Sequence, residues 1–268
     1  MGADYMTEIK LIATDIDGTL FDSNNNYDID RLNSYLKQLH EQNVEFAVAS
    51  GNNLDHLQKI FQASPDIDIL IAENGSQVVS HKETLFEKTI SNELIQKIIP
   101  VLTSQLDLKA ISLSGKKASY SESSTNQPLY HIGNLIIVDD LTTVDDEFFK
   151  LNIQLEHDDL DDAANLINQN YGNFVHAATS GFGSIDIMNA DINKSLGLQQ
   201  LCQKLNIGLD NVMAFGDNTN DLEMIQEVGL GVSMLNAKQS IKDAADQITI
   251  DDNNHDGVLN TIKDAFNF

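Results

Sequence analysis

Ile9-Lys10-Leu11-Ile12-Ala13-Thr14-Asp15-Ile16-Asp17-Gly18-Thr19-Leu20 joins a short β-type run, Ile9–Thr14, to an acidic turn that carries a glycine. In an open parallel sheet, active sites form beyond the carboxyl ends of the strands, so a strand that runs into two aspartates marks a place for chemistry. Alternate positions of an extended chain face the same way, and the spacing of Asp15 and Asp17 lets both carboxylates converge on one site. Gly18 permits the tight turn out of the strand. Taken alone, two aspartates and a glycine are equally the composition of an ordinary turn.

The flanking sequence extends the strand into a pattern. Asp28 or Asp30 can cap a helix carrying Leu32, Tyr35, Leu36 and Leu39. Val44–Ala49 is a second apolar strand that ends in Ser50-Gly51-Asn52. A helix through Leu54, Leu57, Ile60 and Phe61 follows, then a strand around Ile67–Ala72. Strands alternating with helices of this length predict a parallel sheet wound on both faces. The alternation returns as a helix over Lys194–Leu205, a strand over Val212–Phe215, a helix over Asp221–Val228 and a strand over Gly229–Ser233.

Residues 83–188 have a different texture. Short β-rich runs occur at Ala110–Leu113, Leu135–Val138, Ile153–Leu155, Phe174–Ala177 and Ile185–Met188, with helical patterns at Glu93–Leu102 and Leu160–Asn168. Gly181-Phe182-Gly183 reads as a hairpin turn. The fold class expected is therefore α/β: a Rossmann-like parallel-sheet core of residues 1–82 and 189–268, with a smaller α+β domain, 83–188, inserted into it. The acidic stretch Asp139–Asp162 is expected to be solvated surface of the insert.

A second acidic motif, Gly216-Asp217-Asn218-Thr219-Asn220-Asp221, follows another predicted strand and opens a helix. Its carboxylates can join those of Asp15 and Asp17 around a hard, oxygen-seeking cation, for which magnesium is the natural candidate. Asn218 or Thr219 can instead cap the helix, with Asp221 favoured near its positive end. Capping does not explain why carboxylates collect at matching strand ends, where their mutual repulsion is costly without a cation.

Composition excludes several classes. Over 268 residues, a hydrophobic fraction of 41% fits a globular chain rather than extended disorder. No run approaches the length of a membrane helix, and the N-terminus has no basic-apolar-cleavage pattern of a signal peptide, so a cytoplasmic protein is expected. Met1-Gly2 does not open a myristoylation motif, because Met6 stands where Ser or Thr is needed. A formal charge of −25 with Arg31 as the sole arginine repels nucleic acid and anionic lipid. The single Cys202 sits at helical spacing with Leu198, Leu201 and Leu205 and reads as a core thiol. The histidines show no zinc-ligand spacing.

The ordered set Asp15–Leu20, Ser50, Lys194 and Gly216–Asp221 resembles the haloacid dehalogenase superfamily, marked by DxDGT(L/I), a strand-ending Ser or Thr, a downstream Lys and GDxxND. The insert resembles the type IIB cap of its Cof-type phosphatases. Glu73-Asn74-Gly75, Asn236-Ala237 and Asp256-Gly257-Val258 resemble further segments of that group. The resemblance implies a magnesium-dependent phosphatase acting on a small phosphate ester. Asp15 would be the nucleophile and Asp17 the general acid and base. Magnesium would be held by Asp15, the Asp17 carbonyl, Asp217 and Asp221. The Ile16 amide, Ser50, Gly51, Lys194 and Asn220 would hold the phosphoryl oxygens. A lysine opening a helix is ordinarily a solvated residue, so the role of Lys194 comes from the resemblance. Sugar phosphates, pyridoxal phosphate and flavin-pathway phosphates are the substrates implied. Two positions depart from the group: Asn52 replaces an Arg, and Ser195 replaces a Gly, where it is expected to crowd the site or recap the helix. A phosphomutase and a non-catalytic sensor of phosphorylated metabolites are the alternatives. The presence of Asp15, Asp17, Lys194 and Asp217 together favours catalysis.

Overall fold

The computed structural model describes residues 8–122, 134–157, 159–180 and 183–268. The first strand, β1 (Leu11–Thr14), is buried along its whole length. Both faces of a central parallel strand are covered, which is why it reads as a continuous apolar run. Asp28 caps α1 (Ile29–Glu41) by accepting the Arg31 amide, and Leu32, Tyr35, Leu36 and Leu39 form its buried stripe, the spacing that sets one helical face on a core. β2 (Glu45–Ala49), α2 (Leu54–Ile60) and β3 (Ile69–Ala72) continue the alternation.

The sheet then departs from the expected all-parallel form. β4 (Gln77–Ser80) and β5 (Glu83–Glu87) extend it, and β4 runs antiparallel to β3. Only the turn Glu73–Gly75 and Ser76 separate the two strands, far too few residues for the crossover that a parallel neighbour requires.

The next elements are α3 (Asn92–Gln105), β6 (Leu108–Gly115), β7 (Ser119–Glu122), β8 (Leu135–Val138), β9 (Phe148–Leu155), α4 (Leu160–Tyr171), β10 (Val175–Ser180) and β11 (Ser184–Asn189). Their strands form a separate sheet in the order β10-β11-β9-β6-β7-β8. Ile95, Ile98, Ile99 and Leu102 of α3 and Ala163, Ala164 and Ile167 of α4 pack with Leu113, Leu151, Ile153, Ile185 and Ile187 in its apolar cluster. The Ser91 and Asp159 side chains cap the two helices. The stretch Asp139–Asp162 is not simply solvated surface. Phe148, Leu151 and Ile153 are buried within it, and buried Asp146 accepts from the Tyr120 hydroxyl at 3.0 Å and the Lys117 amide at 2.9 Å. Gly181 and Phe182 of the expected hairpin turn lie outside the described residues. The flanking β10 and β11 pair antiparallel, Ser180 opposite Ser184.

The chain returns to the first sheet through α5 (Lys194–Leu205), β12 (Val212–Gly216), α6 (Leu222–Glu227), β13 (Leu230–Ser233), α7 (Gln239–Ala244), β14 (Gln247–Ile248) and α8 (Gly257–Phe266). A 3-10 turn, Thr219–Asp221, precedes α6, so the helix expected from Asp221 begins one residue later. The strand order is β14-β13-β12-β1-β2-β3-β4-β5, with β1 parallel to both β12 and β2. The chain therefore builds away from β1 in two directions, and the order reverses between β1 and β12, the place where open α/β sheets bind ligands at the carboxyl ends of their strands.

The described chain divides into two compact units. One holds the residues up to Gly51 with Leu57–Phe86 and Asn193–Phe268; the other holds Asn52–His56 with Glu87–Ile192. Among the described residues no helix is long and apolar enough to cross a membrane.

Candidate active site

Three strand ends of the first unit deliver the acidic and polar residues. Asp15 leaves β1 with its amide donating to the Phe215 carbonyl of β12 at 3.1 Å. Ser50 leaves β2 with its amide on the Ile71 carbonyl at 2.9 Å. Asp217 leaves β12, and Asp221 closes the turn after it in a capping box with Asn218. The Asp221 Oδ2 accepts the Asp217 and Asn218 amides, each at 3.0 Å. Capping and site-building, alternatives in the sequence, are therefore both met by one carboxylate.

Lys194 joins these ends. It is the first residue of α5, whose N-cap is Asn193, and it is completely buried. Its Nζ donates to Asp15 Oδ1 at 2.5 Å and to Asp221 Oδ1 at 2.6 Å. An ammonium at a helix start is disfavoured by the dipole and by burial, so two charged partners are what hold it there. Burial alone would lower its affinity for a proton, but the charges of Asp15 and Asp221 outweigh that and raise it.

Carboxylate oxygens of Asp15, Asp217 and Asp221 lie within 4.8 Å of one another. Burial, and then the charges of Asp221, Asp217 and Asp17, push the Asp15 carboxyl well above the ordinary range against the pull of Lys194. Burial and the Asp221 charge push Asp217 up to about 6, although the Thr19 hydroxyl donates to its Oδ1 at 3.0 Å and opposes the shift. Three carboxylates against one ammonium leave two negative charges uncompensated in a largely buried place. Their number, hardness and separation suit a divalent cation with oxygen ligands.

Asp17 is exposed, and its carboxylate is outside the three-acid group. Ile16 is buried, and its carbonyl accepts the Thr19 and Phe21 amides at 3.2 and 2.9 Å. Gly18 turns the chain at φ +79°, where an added Cβ would lie 2.7 Å from Asp217 Oδ2. Any side chain there strikes the cluster. Gly51 lies against the Asn74 carboxamide, and the Asn220 Nδ2 donates to Asn74 Oδ1 at 3.2 Å. Asn52 is half-buried and belongs to the second unit. Ser195 neither crowds the cluster nor caps the helix. Its buried hydroxyl donates to Glu227 at the end of α6, which also accepts Gln199 Nε2 at 2.7 Å.

Several contributors escaped the sequence. Asn236 Nδ2 donates to the Gly18 carbonyl at 2.7 Å, its Oδ1 accepts the Asn253 amide at 3.1 Å, and Asn253 Nδ2 donates to the Phe21 carbonyl at 2.9 Å. This chain of amides braces the loop that carries Asp15 and Asp17. Asn236 lies in the Asn-Ala step noted above; Asn253 and Glu227 carry no sequence signal. Glu73, Asn74 and Gly75 all have positive φ, at 52°, 54° and 103°. Asparagine tolerates this region, but a glutamate there is an outlier, and such residues cost roughly 1–3 kcal/mol each.

The sequence profile of the haloacid dehalogenase-like hydrolases matches residues 12–262. Among curated proteins, the chain is 30% identical over 261 residues to 5-amino-6-(5-phospho-D-ribitylamino)uracil phosphatase YbjI of Escherichia coli (strain K12), covering 95% of each chain. It is 28% identical to the Bacillus subtilis (strain 168) phosphatase of the same name, YcsE, over 96% of this chain and 95% of that one. Among solved structures, SMU.1108c from Streptococcus mutans UA159 matches with a TM-score of 0.90 and 30% identity, over 97% of this chain and 100% of that chain. The chain belongs to the haloacid dehalogenase-like hydrolase family and is a phosphoric monoester hydrolase.

Proposed function

We propose that the protein is a cytoplasmic, magnesium-dependent phosphatase that hydrolyses a small phosphorylated metabolite through an aspartyl phosphate on Asp15. The observation that carries this is the buried contact of Lys194 with both Asp15 and Asp221, with Asp217 beside them. A carboxylate can attack a phosphate dianion only where positive charge offsets the repulsion. Lys194 supplies one such charge, and its two carboxylate partners fix where it points. Asp15, Asp217 and Asp221 with the Asp17 carbonyl would hold magnesium, which would supply the remaining neutralisation of the phosphoryl oxygens.

Asp15 attacks phosphorus in line with the leaving oxygen. Asp17, exposed and two residues further on, can meet the solvent-side groups, protonating the leaving oxygen and then taking a proton from the water that hydrolyses the intermediate. The Ile16 amide, Ser50, Gly51 and Asn220 hold the transferred group. Residues 1–82 and 189–268 form the catalytic core in this assignment, and residues 83–188 form the cap that sets specificity. The two curated relatives make a ribityl-type phosphate the first substrate to try.

The test is phosphate release from 5-amino-6-(5-phospho-D-ribitylamino)uracil, sugar phosphates, pyridoxal phosphate and p-nitrophenyl phosphate, with and without magnesium. Wild type is compared with Asp15→Asn. Magnesium-dependent release that falls about a thousandfold or more in the variant is expected. Release that survives the substitution unchanged sinks the mechanism. Folded wild-type protein that releases nothing from any ester shifts the assignment to a mutase or a sensor.

A further inference from the structure

The turn Glu73-Asn74-Gly75 meets the Ser50–Gly51 loop after β2 and Asn220 in the turn after β12, and it packs on Asn193 and Gly197, which flank Lys194 at the start of α5. The Asn74 amide donates to the Ser50 carbonyl at 2.9 Å. Its carboxamide packs on Gly51, where an added Cβ would meet Asn74 Nδ2 at 3.1 Å. The same carboxamide accepts Asn220 Nδ2 at 3.2 Å. On the opposite side, a Cβ on Gly75 would lie 2.2 Å from the carbonyl oxygen of Asn193, the residue immediately before Lys194. A Cβ on Gly197, one turn into α5, would lie 2.8 Å from the Gly75 Cα.

Three consecutive positive φ angles are what such a junction requires. A regular turn after β3 would carry the Asn74 side chain elsewhere and open the contact with α5. Strained, buried backbone persists only where the surroundings over-determine it, and it clusters at functional sites. Here all three residues are buried, and the strain brings together three segments far apart in sequence. We propose that Asn74 is a positioning residue for phosphoryl transfer. Its carboxamide sets Asn220 against the Ser50–Gly51 loop, while the left-handed turn beneath it seats the start of α5 and hence Lys194. This rests on the phosphatase assignment above, and the experiment separates the two.

Asn74→Gly keeps the left-handed backbone without steric cost and removes the side chain with its carboxamide. With p-nitrophenyl phosphate and magnesium, kcat is expected to fall about tenfold with KM changed less than about threefold, because misaligned donors act mainly on the transition state. Asn74→Ser, too short to reach Asn220, is expected to show the same loss and serves if the glycine variant does not fold. The discriminating measurement is the cycle with Asn220→Ala. If Asn74 acts through Asn220, the double variant is no slower than Asn220→Ala within about twofold. A folded Asn74 variant with wild-type kcat overturns the proposal, as does a double variant in which the two losses multiply. If wild type itself releases no phosphate, it is the phosphatase assignment that fails, and the positioning role falls with it.

Discussion

Lys194 is the residue on which the electrostatics of the core unit turn. It has no solvent exposure, and among the described residues it is the cation that contacts both Asp15 and Asp221. Removing one member of a buried ionic group costs about 3–5 kcal/mol, because the partners stay behind uncompensated. Carboxylates, unlike ammonium groups, can relieve that cost by taking up protons. In Lys194→Met the Asp15 carboxyl, already raised by burial, loses the ammonium that pulls it down. An acid with a raised folded pKa binds protons more tightly folded than unfolded, so its contribution to stability falls as pH rises. The deficit of Lys194→Met, measured by urea unfolding without magnesium, is therefore expected to be about 3 kcal/mol near pH 7.5 and to shrink toward pH 5. A deficit that stays constant over that interval would show that packing, not charge, is what Lys194 supplies. Hydrolysis by the same variant is expected to drop at least a hundredfold.

At the scale of elements, α5 carries Lys194 at its first residue, and two ties at that end of the helix hold it in place. One is the glycine contact with the strained turn after β3. The other is the Ser195 hydroxyl on Glu227, which joins α5 to the far end of α6. The Asp217–Asp221 segment runs straight into α6, so this second tie links the lysine's helix to the helix that follows its acidic partners. A hydrogen bond to a charged group contributes about 1.5–3 kcal/mol. Glu227 is exposed and keeps Gln199 as a donor, which places Ser195→Ala at the lower end. Ser195→Gly adds the entropy of a helical glycine, about 0.5–1 kcal/mol, for about 2 kcal/mol in all. Both substitutions are expected to shift the denaturant midpoint in that order while leaving kcat within about threefold. Ser195→Ala as stable as wild type would mean that solvent replaces the Glu227 contact at no cost.

At the scale of the whole molecule, what could be read from the sequence was what is local. β1, α1, β2 and α5 announce themselves by apolar periodicity and caps within a few residues. β7 (Ser119–Glu122) is mostly polar and β14 two residues long, so neither carries a periodic signal. The acids of the site were legible because Asp15 and Asp217 each follow a readable strand and Asp221 lies in the acidic motif that Asp217 opens. Their braces were not, because Asn236 to Gly18 and Ser195 to Glu227 are pairings across 218 and 32 residues that no pattern along the chain encodes. The net charge of −25 also acts at this scale, since it disfavours the compact state and attracts any cation. A specific magnesium site must be distinguished from that general screening. In the metal-free protein Asp217 titrates near 6. Below that value a proton neutralises it and supports the fold; as pH rises through about 6 that contribution is lost and the ionised cluster becomes a cation site. Magnesium at about a hundred times its Kd stabilises the folded state by about 2.7 kcal/mol, or about 5–10 °C in Tm at this size. The shift is expected to be full near pH 7.5 and largely absent near pH 5. In Asp217→Asn only the screening part, shared by sodium at equal ionic strength, should survive. Magnesium shifts that are equal in wild type and Asp217→Asn, or independent of pH, would place the cation on the acidic surface rather than among Asp15, Asp217 and Asp221.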